Sequence, residues 1–254
     1  MNVHKLLLFP VIAVALSVVG CGSAPRAMNN LQDDPNRMTC HYDGDNFRVE
    51  YFSSDYSGSA DDGFNAAAVD CGVNTSVLYD GDDIIVFDGN RRIFYSEFAD
   101  DSFLKAVVAA GTNVAGGYDG DTFIVYDGLS NRFNSEFADD DVSVAKIGAG
   151  EDVVILYDGD NMIAYDARRH RFSSEFAADG ESYAVVAGGR GGALAYDGDN
   201  LFAYCSYQGR WTSEFAEDRQ VARANVNQET GQAQVLIGSK LFQLDPLSCD
   251  IDSL

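Results

Sequence analysis

Basic residues are scarce in this sequence. Its 254 residues include 40 acidic but only 17 basic side chains, four of them lysine, and the formal net charge is −23. Nucleic-acid-binding surfaces need clustered Lys and Arg side chains that neutralise phosphates, so the composition excludes a nucleic-acid partner. The same charge favours solubility, repels anionic lipid surfaces and attracts cations or basic partners.

The short motifs of the common catalytic sites are also absent. The sequence contains no Gly-x-Ser-x-Gly elbow, no His-Glu-x-x-His motif and no phosphate-binding loop. Of the three histidines, His4 lies in the N-terminal segment, which leaves His41 and His170. Paired carboxylates can serve as general acid and base, but acidic residues are too numerous to single out a pair. The sequence therefore favours a binding protein over an enzyme.

The sequence also lacks a sustained helical period of apolar residues, but it contains a regular tetrapeptide repeat. No window keeps apolar residues at helical spacing. Instead, the tetrapeptide Tyr-Asp-Gly-Asp occurs five times, at successive spacings of 37, 39, 39 and 39 residues. The five copies begin at Tyr42, Tyr79, Tyr118, Tyr157 and Tyr196, and a degenerate sixth is Ile237-Gly238-Ser239-Lys240. A repeat period near 40 residues indicates a solenoid, a propeller or an array.

One repeat, residues 142–179, predicts four short strands. Apolar or alternating segments occupy residues 142–147, 153–157, 162–165 and 171–176. Asp158-Gly159 is a strong hairpin signal, because a type I′ turn needs two residues that tolerate positive φ. We label the strands a, b, c and d along the chain, and name each turn by the strands that it joins. Strand a is rich in Gly and Ala, which places it innermost, near the crowded axis.

Four antiparallel strands in each unit of about 40 residues predict an all-β fold, a β-propeller with four-stranded antiparallel blades. The layout resembles WD-repeat and chromosome-condensation-regulator propellers in pattern only, because the signature residues of both families are absent. Six b–c hairpins predict six blades, although the first blade lacks an obvious strand a. Leu247, Cys249 and Ile251 alternate and are expected in the last strand d. Five blades with an irregular edge are the alternative.

The first 20 residues are typical of an export signal. An apolar stretch, residues 6–19, follows a lysine and is shorter than the roughly 20 residues that a spanning helix needs. It ends in Val18-Val19-Gly20-Cys21, which resembles the lipobox of bacterial lipoproteins. That resemblance implies cleavage before Cys21, lipidation of that cysteine (palmitate included), and anchoring at the outer membrane of a Gram-negative bacterium. Residues 21–37 are then a flexible tether, and residues 38–254 are the propeller.

Four cysteines remain for the folded domain: Cys40, Cys71, Cys205 and Cys249. An exported chain folds in an oxidising compartment, so they predict two disulfides with three possible pairings. All four are expected at the same edge of the blades, which favours the neighbouring-blade pairs Cys40–Cys71 and Cys205–Cys249. The alternative is a Cys40–Cys249 clasp that closes the ring. No Cys-x-x-Cys spacing of a zinc site occurs.

Charges are predicted to separate onto two edges of the blades. The b–c turns carry Asp-Gly-Asp, and the d-to-a connections carry acidic runs such as Asp100-Asp101 and residues 139–141. Because strands alternate in direction, both sets fall on one edge, which we name the bottom edge. The c–d turns carry basic residues, including Arg91-Arg92 and Arg168-Arg169, and fall on the opposite, top edge. The sequence predicts one acidic and one partly basic mouth.

Ser-Glu-Phe recurs at the end of strand d in four repeats. The preferred interpretation is structural: Phe faces the next blade, and Ser and Glu bond a neighbouring strand or a basic residue of strand d, as Glu136 could with Arg132. The alternative is a repeated carbohydrate site in which Arg, Glu and an aromatic ring converge, as in some lectin propellers. The candidate ligand-binding residues are Arg210, Trp211 and Glu214, with Arg132, Glu136, Arg171 and Glu175 in the preceding repeats.

The Asp-Gly-Asp turns offer carboxylate oxygens, the ligands that Ca²⁺ prefers. The richest turn contains Asp80, Asp82 and Asp83. It is a poor Ca²⁺ site, because Ca²⁺ takes six to eight oxygens and Asp-Gly is what a hairpin needs in any case. No other cofactor is predicted.

Together these patterns predict a lipid-anchored, non-catalytic β-propeller that serves as a protein-interaction scaffold in the cell envelope. A carbohydrate-binding propeller is the first alternative. A polysaccharide hydrolase or lyase, with carboxylates in the central channel, is the second. The partner is accordingly a protein or a glycan.

Overall fold

The computed structural model describes residues 38–60, 67–99, 106–138, 143–177, 182–216, 220–227 and 229–254. The predicted signal, Cys21, the tether and the acidic d-to-a runs lie outside these residues. The described residues form 23 β-strands. Within this part of the chain, no helix is long and apolar enough to cross a membrane.

The strands form six antiparallel sheets, which are the six blades, and within each sheet the strands lie in chain order. Blade 1 contains β1 (Thr39–Tyr42), β2 (Asn46–Tyr51) and β3 (Ser54–Ser59), and blade 2 contains β4 (Ala68–Cys71), β5 (Thr75–Tyr79), β6 (Asp83–Asp88) and β7 (Ile93–Phe98). Blade 3 contains β8 (Val107–Ala110), β9 (Val114–Tyr118), β10 (Thr122–Asp127) and β11 (Arg132–Phe137), and blade 4 contains β12 (Lys146–Ala149), β13 (Val153–Tyr157), β14 (Asn161–Asp166) and β15 (Arg171–Phe176). Blade 5 contains β16 (Val185–Gly189), β17 (Gly192–Tyr196), β18 (Asn200–Cys205) and β19 (Arg210–Phe215), and blade 6 contains β20 (Ala222–Val226), β21 (Ala233–Ile237), β22 (Lys240–Asp245) and β23 (Asp250–Ser253).

The all-β propeller with six blades is confirmed, and the five-blade alternative is wrong. Blade 1 has three described strands, and the chain segment before them, where a strand a would stand, lies outside the described residues. The sequence predicts the other inner strands from near residues 65, 104, 143, 182 and 220. In the structure they start two to three residues later, at Ala68, Val107, Lys146, Val185 and Ala222. The last strand d begins at Asp250, so Leu247 and Cys249 precede it.

The middle strands of each blade form the core because their apolar side chains are covered on both faces by neighbouring blades. All five residues of β13 are buried, and five of the six residues of β14 are buried. One buried cluster joins Tyr157 of blade 4 to Tyr204 of blade 5. A blade cannot bury these faces alone, so each blade stabilises the next.

The two edges of the blades are fixed by backbone hydrogen bonds. At the bottom, the Ala99 N–H donates to the Asp82 carbonyl at 2.7 Å, which joins the end of strand d to the b–c turn. At the top, the Gly89 N–H donates to the Asn74 carbonyl at 2.7 Å, which joins the c–d turn to the a–b turn. The equivalent bonds recur through blades 3, 4 and 5. The b–c turns therefore lie at the bottom edge and the a–b and c–d turns at the top edge, as the alternation of strand direction predicts.

A row of glycines brings successive inner strands into backbone contact at the top edge. Gly72, Gly111, Gly150 and Gly189 stand at the end of strand a in consecutive blades. A Cβ at Gly111 would collide with the carbonyl oxygen of Gly150. In the same place, the Thr112 N–H donates to that carbonyl at 3.0 Å. Glycine is required because a side chain would separate the two backbones.

The type I′ prediction for the b–c turns is wrong. Only the glycine of each Asp-Gly-Asp turn has positive φ, for example 132° at Gly159. The preceding aspartate instead accepts backbone hydrogen bonds: Asp158 Oδ1 receives the N–H groups of Asp160 at 3.2 Å and Asn161 at 2.7 Å. The Tyr157 hydroxyl donates to the Gly159 carbonyl at 2.8 Å and braces the turn. The recurring Tyr-Asp-Gly is thus a turn built by side chains.

Candidate functional site

A buried tyrosine–aspartate hydrogen bond links each pair of middle blades near the top edge. The Tyr165 hydroxyl of blade 4 donates to Asp127 Oδ2 of blade 3 at 2.9 Å. The same bond joins Tyr126 to Asp88 at 2.8 Å and Tyr204 to Asp166 at 3.0 Å. Both partners are buried in every case. Burial and the adjacent aspartate raise the pKa of each tyrosine, so the hydroxyls stay protonated and donate.

The buried aspartates of these links have several further hydrogen-bond partners, as Asp127 shows. Its carboxylate accepts the backbone N–H of Leu129 at 2.8 Å and the Ser130 hydroxyl at 2.7 Å, and contacts His170 Nδ1 at 2.7 Å. Burial alone would raise the pKa of Asp127, but the hydrogen bonds from His170, Ser130 and Tyr165 outweigh it and hold the pKa below its usual range. The aspartate shapes its own c–d turn and binds the next blade.

Of the five interfaces between consecutive blades, the first and the last lack this link, and each of them has a disulfide. Between blades 1 and 2, the tyrosine position is Phe87, which has no hydroxyl, and Cys40 is bonded to Cys71. Between blades 5 and 6, Leu244 stands at the tyrosine position. There Cys205 stands at the aspartate position and is bonded to Cys249. These are the preferred sequence-predicted pairs, with Cα–Cα distances of 6.0 and 5.7 Å, and the Cys40–Cys249 clasp is not formed.

The basic side chains of the top edge are largely engaged in the same interfaces. Arg91 Nη1 contacts Asp88 at 2.6 Å and donates to the Gly128 carbonyl of the next blade at 2.8 Å. Arg169 contacts Asp166 at 3.1 Å and donates to the Tyr207 carbonyl at 3.0 Å. Arg168 pairs with Asp152. The top edge is therefore less basic than its residue count implied, because buried aspartates neutralise much of its charge.

The Ser-Glu-Phe segments are exposed, which contradicts the prediction that their phenylalanines pack on the next blade. The four phenylalanines are 69–76% exposed, and the Ser and Glu residues are exposed as well. Inter-blade packing uses a different residue of strand d, the second: Phe172, for example, packs edge-on against Tyr165 and Phe123. We name the four exposed segments the Ser-Glu-Phe ladder: Ser96-Glu97-Phe98, Ser135-Glu136-Phe137, Ser174-Glu175-Phe176 and Ser213-Glu214-Phe215.

The ladder lies beside the acidic turns of the bottom edge. In blade 2, Phe98 is the register partner of Asp83, and the next residue bonds to the Asp82 carbonyl. In blade 4, Phe176 is the register partner of Asn161, which adjoins Asp160. Among the described residues, no ion pair joins a ladder glutamate to a basic side chain of its own strand, so the predicted Arg132–Glu136 pair is absent. The ladder therefore combines exposed rings with exposed carboxylates.

The candidate carbohydrate residues of blade 5 divide between two faces of β19. Trp211 is half-buried: its ring packs edge-on against Tyr204 at 5.2 Å, and its Nε1–H donates to Ser173 of blade 4 at 3.1 Å. Arg210 and Glu214 fall on the other face, because side chains alternate along a strand. Burial raises the pKa of Glu214. Arg132, Glu136, Arg171 and Glu175 stand at the equivalent positions of blades 3 and 4.

The Ca²⁺ candidate is not assembled into a ligand set. Among the described residues, no three or more His, Cys, Asp or Glu side chains are grouped to hold a metal ion. Asp80 is buried and uses one oxygen to accept the Asp83 N–H at 3.0 Å, as a turn-forming aspartate does. The predicted residues Asp80, Asp82 and Asp83 therefore belong to a hairpin turn, in which the Asp80 side chain fixes the backbone.

Comparison with known proteins gives no close relative. No protein-family model matches the chain, and no curated protein matches it. Among solved structures, apo AztD from Citrobacter koseri is 13% identical to this chain. The match covers 84% of this chain and 67% of the AztD chain, with a TM-score of 0.47. A chain of the mitotic checkpoint complex is 10% identical, with 100% and 88% covered and a TM-score of 0.47. Kluyveromyces lactis Hsv2 with complete loop 6CD is 8% identical, with 75% and 63% covered and a TM-score of 0.43. The chain spans less than two thirds of the length of that Hsv2 chain. The similarities to these three structures carry no information about activity or partners.

Proposed function

We propose that this chain is a non-catalytic, lipid-anchored β-propeller of the cell envelope that serves as a protein-interaction scaffold. The observation that carries the proposal is the Ser-Glu-Phe ladder. Folding does not account for four phenylalanines that are each about 70% exposed, because the neighbouring positions already supply the inter-blade packing. Repeated exposed aromatic side chains are typical of interaction surfaces.

The chemistry of the ladder favours a basic partner. Each exposed ring has a glutamate before it and an acidic b–c turn beside it in at least blades 2 and 4. Carboxylates attract Lys and Arg side chains, and an aromatic ring adds a cation–π contribution of about 0.5–1 kcal/mol at an exposed site. Four copies on successive blades would add avidity for a partner with several basic groups.

The test is recovery of partners from envelope membranes with the intact, detergent-solubilised protein. We expect bound basic proteins that dissociate at high salt, because exposed charge pairs are screened. Changing all four ladder phenylalanines to serine should abolish recovery. A matched control changes three exposed apolar residues of top-edge turns, Val73, Leu129 and Leu247, to serine. Equal loss in both variants, or none in either, would contradict the proposal.

The lipid anchor has a separate test. Cys21→Ser removes the sulfur that would carry the lipid and should move the protein from the detergent phase to the aqueous phase in a phase-partition assay. Unchanged partitioning would refute the anchor without affecting the scaffold proposal. The carbohydrate alternative predicts glycan binding that is lost in Trp211→Ala while the protein remains folded.

A further inference from the structure

Strand d of blades 2 to 5 is paired on one side only. β7, β11, β15 and β19 are the terminal strands of their sheets, and no strand within the described ranges pairs with their outer side. Each is six residues long and stays in register with strand c throughout, without a bulge. None contains Pro or Lys, which commonly protect the free side of a strand from further pairing. The outer side of each strand is therefore suited to accept another strand.

The register shows which backbone groups point outward. In blade 4, the Ala177 N–H donates to the Asp160 carbonyl at 2.7 Å, so these two residues form a hydrogen-bonded pair. Bonded and non-bonded pairs alternate along an antiparallel ladder. The N–H and C=O groups of Ser174 and Phe176 therefore point away from β14, whereas those of Glu175 bond to it. The equivalent bonds in blades 2, 3 and 5 are donated by Ala99, Ala138 and Ala216.

The side chains of the ladder define which added strand would fit. Glu175 and Phe176 lie on opposite faces of β15, because side chains alternate along a strand. A residue placed opposite Glu175 would form a non-bonded pair, in which the Cα atoms are only about 4.5 Å apart and the side chains are closest. A Lys or Arg at that position is favoured by the carboxylate. The residues on either side of it would lie opposite Ser174 and Phe176, where an apolar side chain covers the exposed ring.

A second copy of this chain fits the outer side poorly. Pairing two copies would bring together strands that each carry the ladder glutamate, on molecules with a net charge of −23. Like charges on neighbouring strands are unfavourable, so the glutamate discriminates against self-association. The same carboxylate attracts a basic strand.

We propose that the partner of the Ser-Glu-Phe ladder is an extended segment of alternating basic and apolar residues that pairs with strand d as a fifth strand of the blade. This inference rests on the scaffold proposal and specifies how the partner is held. Backbone hydrogen bonds supply affinity in such strand addition, and the alternating side chains supply specificity. The sites on four successive blades allow a partner with several such segments to bind with avidity.

The experiment adds the capped peptide Lys-Val-Lys-Val-Lys to the intact, detergent-solubilised protein and follows amide hydrogen exchange by NMR. We expect saturable slowing, about tenfold or more, at Ser174 and Phe176, whose N–H groups would become bonded. Glu175 should not change, because its N–H is already bonded to β14. Ser57 of blade 1 is the matched control: it stands at the serine position of β3, but Gly58 and Ser59 replace the glutamate and the phenylalanine. Exchange at Ser57 should be unaffected.

Two N-methylated peptides test the backbone pairing directly. Methylating both valines removes the N–H groups that would donate to strand d and should weaken binding about tenfold or more. Methylating the second and third lysines removes N–H groups that would point away from strand d, so binding should stay within about threefold. The two peptides have the same composition, which controls for charge and hydrophobicity.

The outcomes separate strand addition from the scaffold proposal. No saturable slowing at Ser174 and Phe176, or equal effects of the two methylations, would overturn strand addition. Binding that tolerates both methylations but is lost when the four ladder phenylalanines become serine would overturn strand addition and retain the scaffold. Loss of binding on valine methylation alone, with no partner recovered from envelope membranes, would support strand addition and contradict the scaffold.

Discussion

Tyr165→Phe tests the tyrosine–aspartate link with the smallest possible change. The ring is fully buried and phenylalanine fills nearly the same volume, so the substitution removes only the hydroxyl that donates to Asp127 at 2.9 Å. A hydrogen bond to a charged group contributes about 1.5–3 kcal/mol. We expect a loss near the lower end, about 1.5 kcal/mol, because Ser130 and His170 still contact the same oxygen.

The assay is urea unfolding of the disulfide-intact protein, followed by tyrosine and tryptophan fluorescence. Tyr183→Phe is the control, because its side chain is 41% exposed and the change should stay within about 0.5 kcal/mol. Combining Tyr126→Phe, Tyr165→Phe and Tyr204→Phe should give nearly the sum of the three losses, because each residue serves a different interface. A Tyr165→Phe loss no larger than the control would refute the role of the link.

The stability lost in Tyr165→Phe should also depend on pH, and the loss should be larger at neutral pH than in acid. The pKa of Asp127 is lowered in the folded protein, so its stabilising contribution is complete above the pKa of the unfolded chain and is lost as the pH falls through the folded-state value. The free-energy difference between the wild type and Tyr165→Phe should therefore be largest at neutral pH and shrink in acid. A difference that grows in acid would contradict this assignment.

Three further predictions concern other parts of the fold. Asp80→Asn should stabilise the protein at pH 7 by up to about 3 kcal/mol. The folded-state pKa of Asp80 is raised to about 6, so the wild type loses stability as the pH rises from about 4 to about 6 and the variant does not. The gain should therefore vanish near pH 4, which melting curves measured across this pH range check. Gly150→Ala should cost about 2 kcal/mol or more in urea unfolding, because the added Cβ meets the backbone of Gly189. Reducing the disulfides, which span 31 and 44 residues, should cost about 3–4 kcal/mol each, and hydrogen exchange should then rise first in blades 1 and 6.

The repeat predicted the blades because each strand is a local pattern of apolar residues and turn residues. Strand alternation then placed the turns on two edges and the four cysteines on one of them. The b–c turn was mispredicted because Asp-Gly also suits a turn in which the aspartate side chain, as in Asp158, accepts backbone N–H groups. Only the glycine then needs positive φ.

The ladder was misjudged because alternation gives the face of a side chain but not its burial. Phe172 and Phe176 share one face of β15, yet the first packs on blade 3 and the second is 71% exposed at the end of the strand. The tyrosine–aspartate link was missed although the pair recurs every 39 residues. Each tyrosine bonds to an aspartate 38 residues away, and only the stacking of blades brings the two together.

Site-specific photo-crosslinking is the most direct test of the ladder as an interaction surface. A photoreactive phenylalanine analogue would replace Phe176 or Phe137 of the ladder, or Leu129 of the top edge as the control, in the full-length protein expressed in cells. The account predicts a discrete adduct with a basic protein at both ladder positions and none at Leu129. Absence of adducts at the ladder, or the same adduct at Leu129, would contradict it.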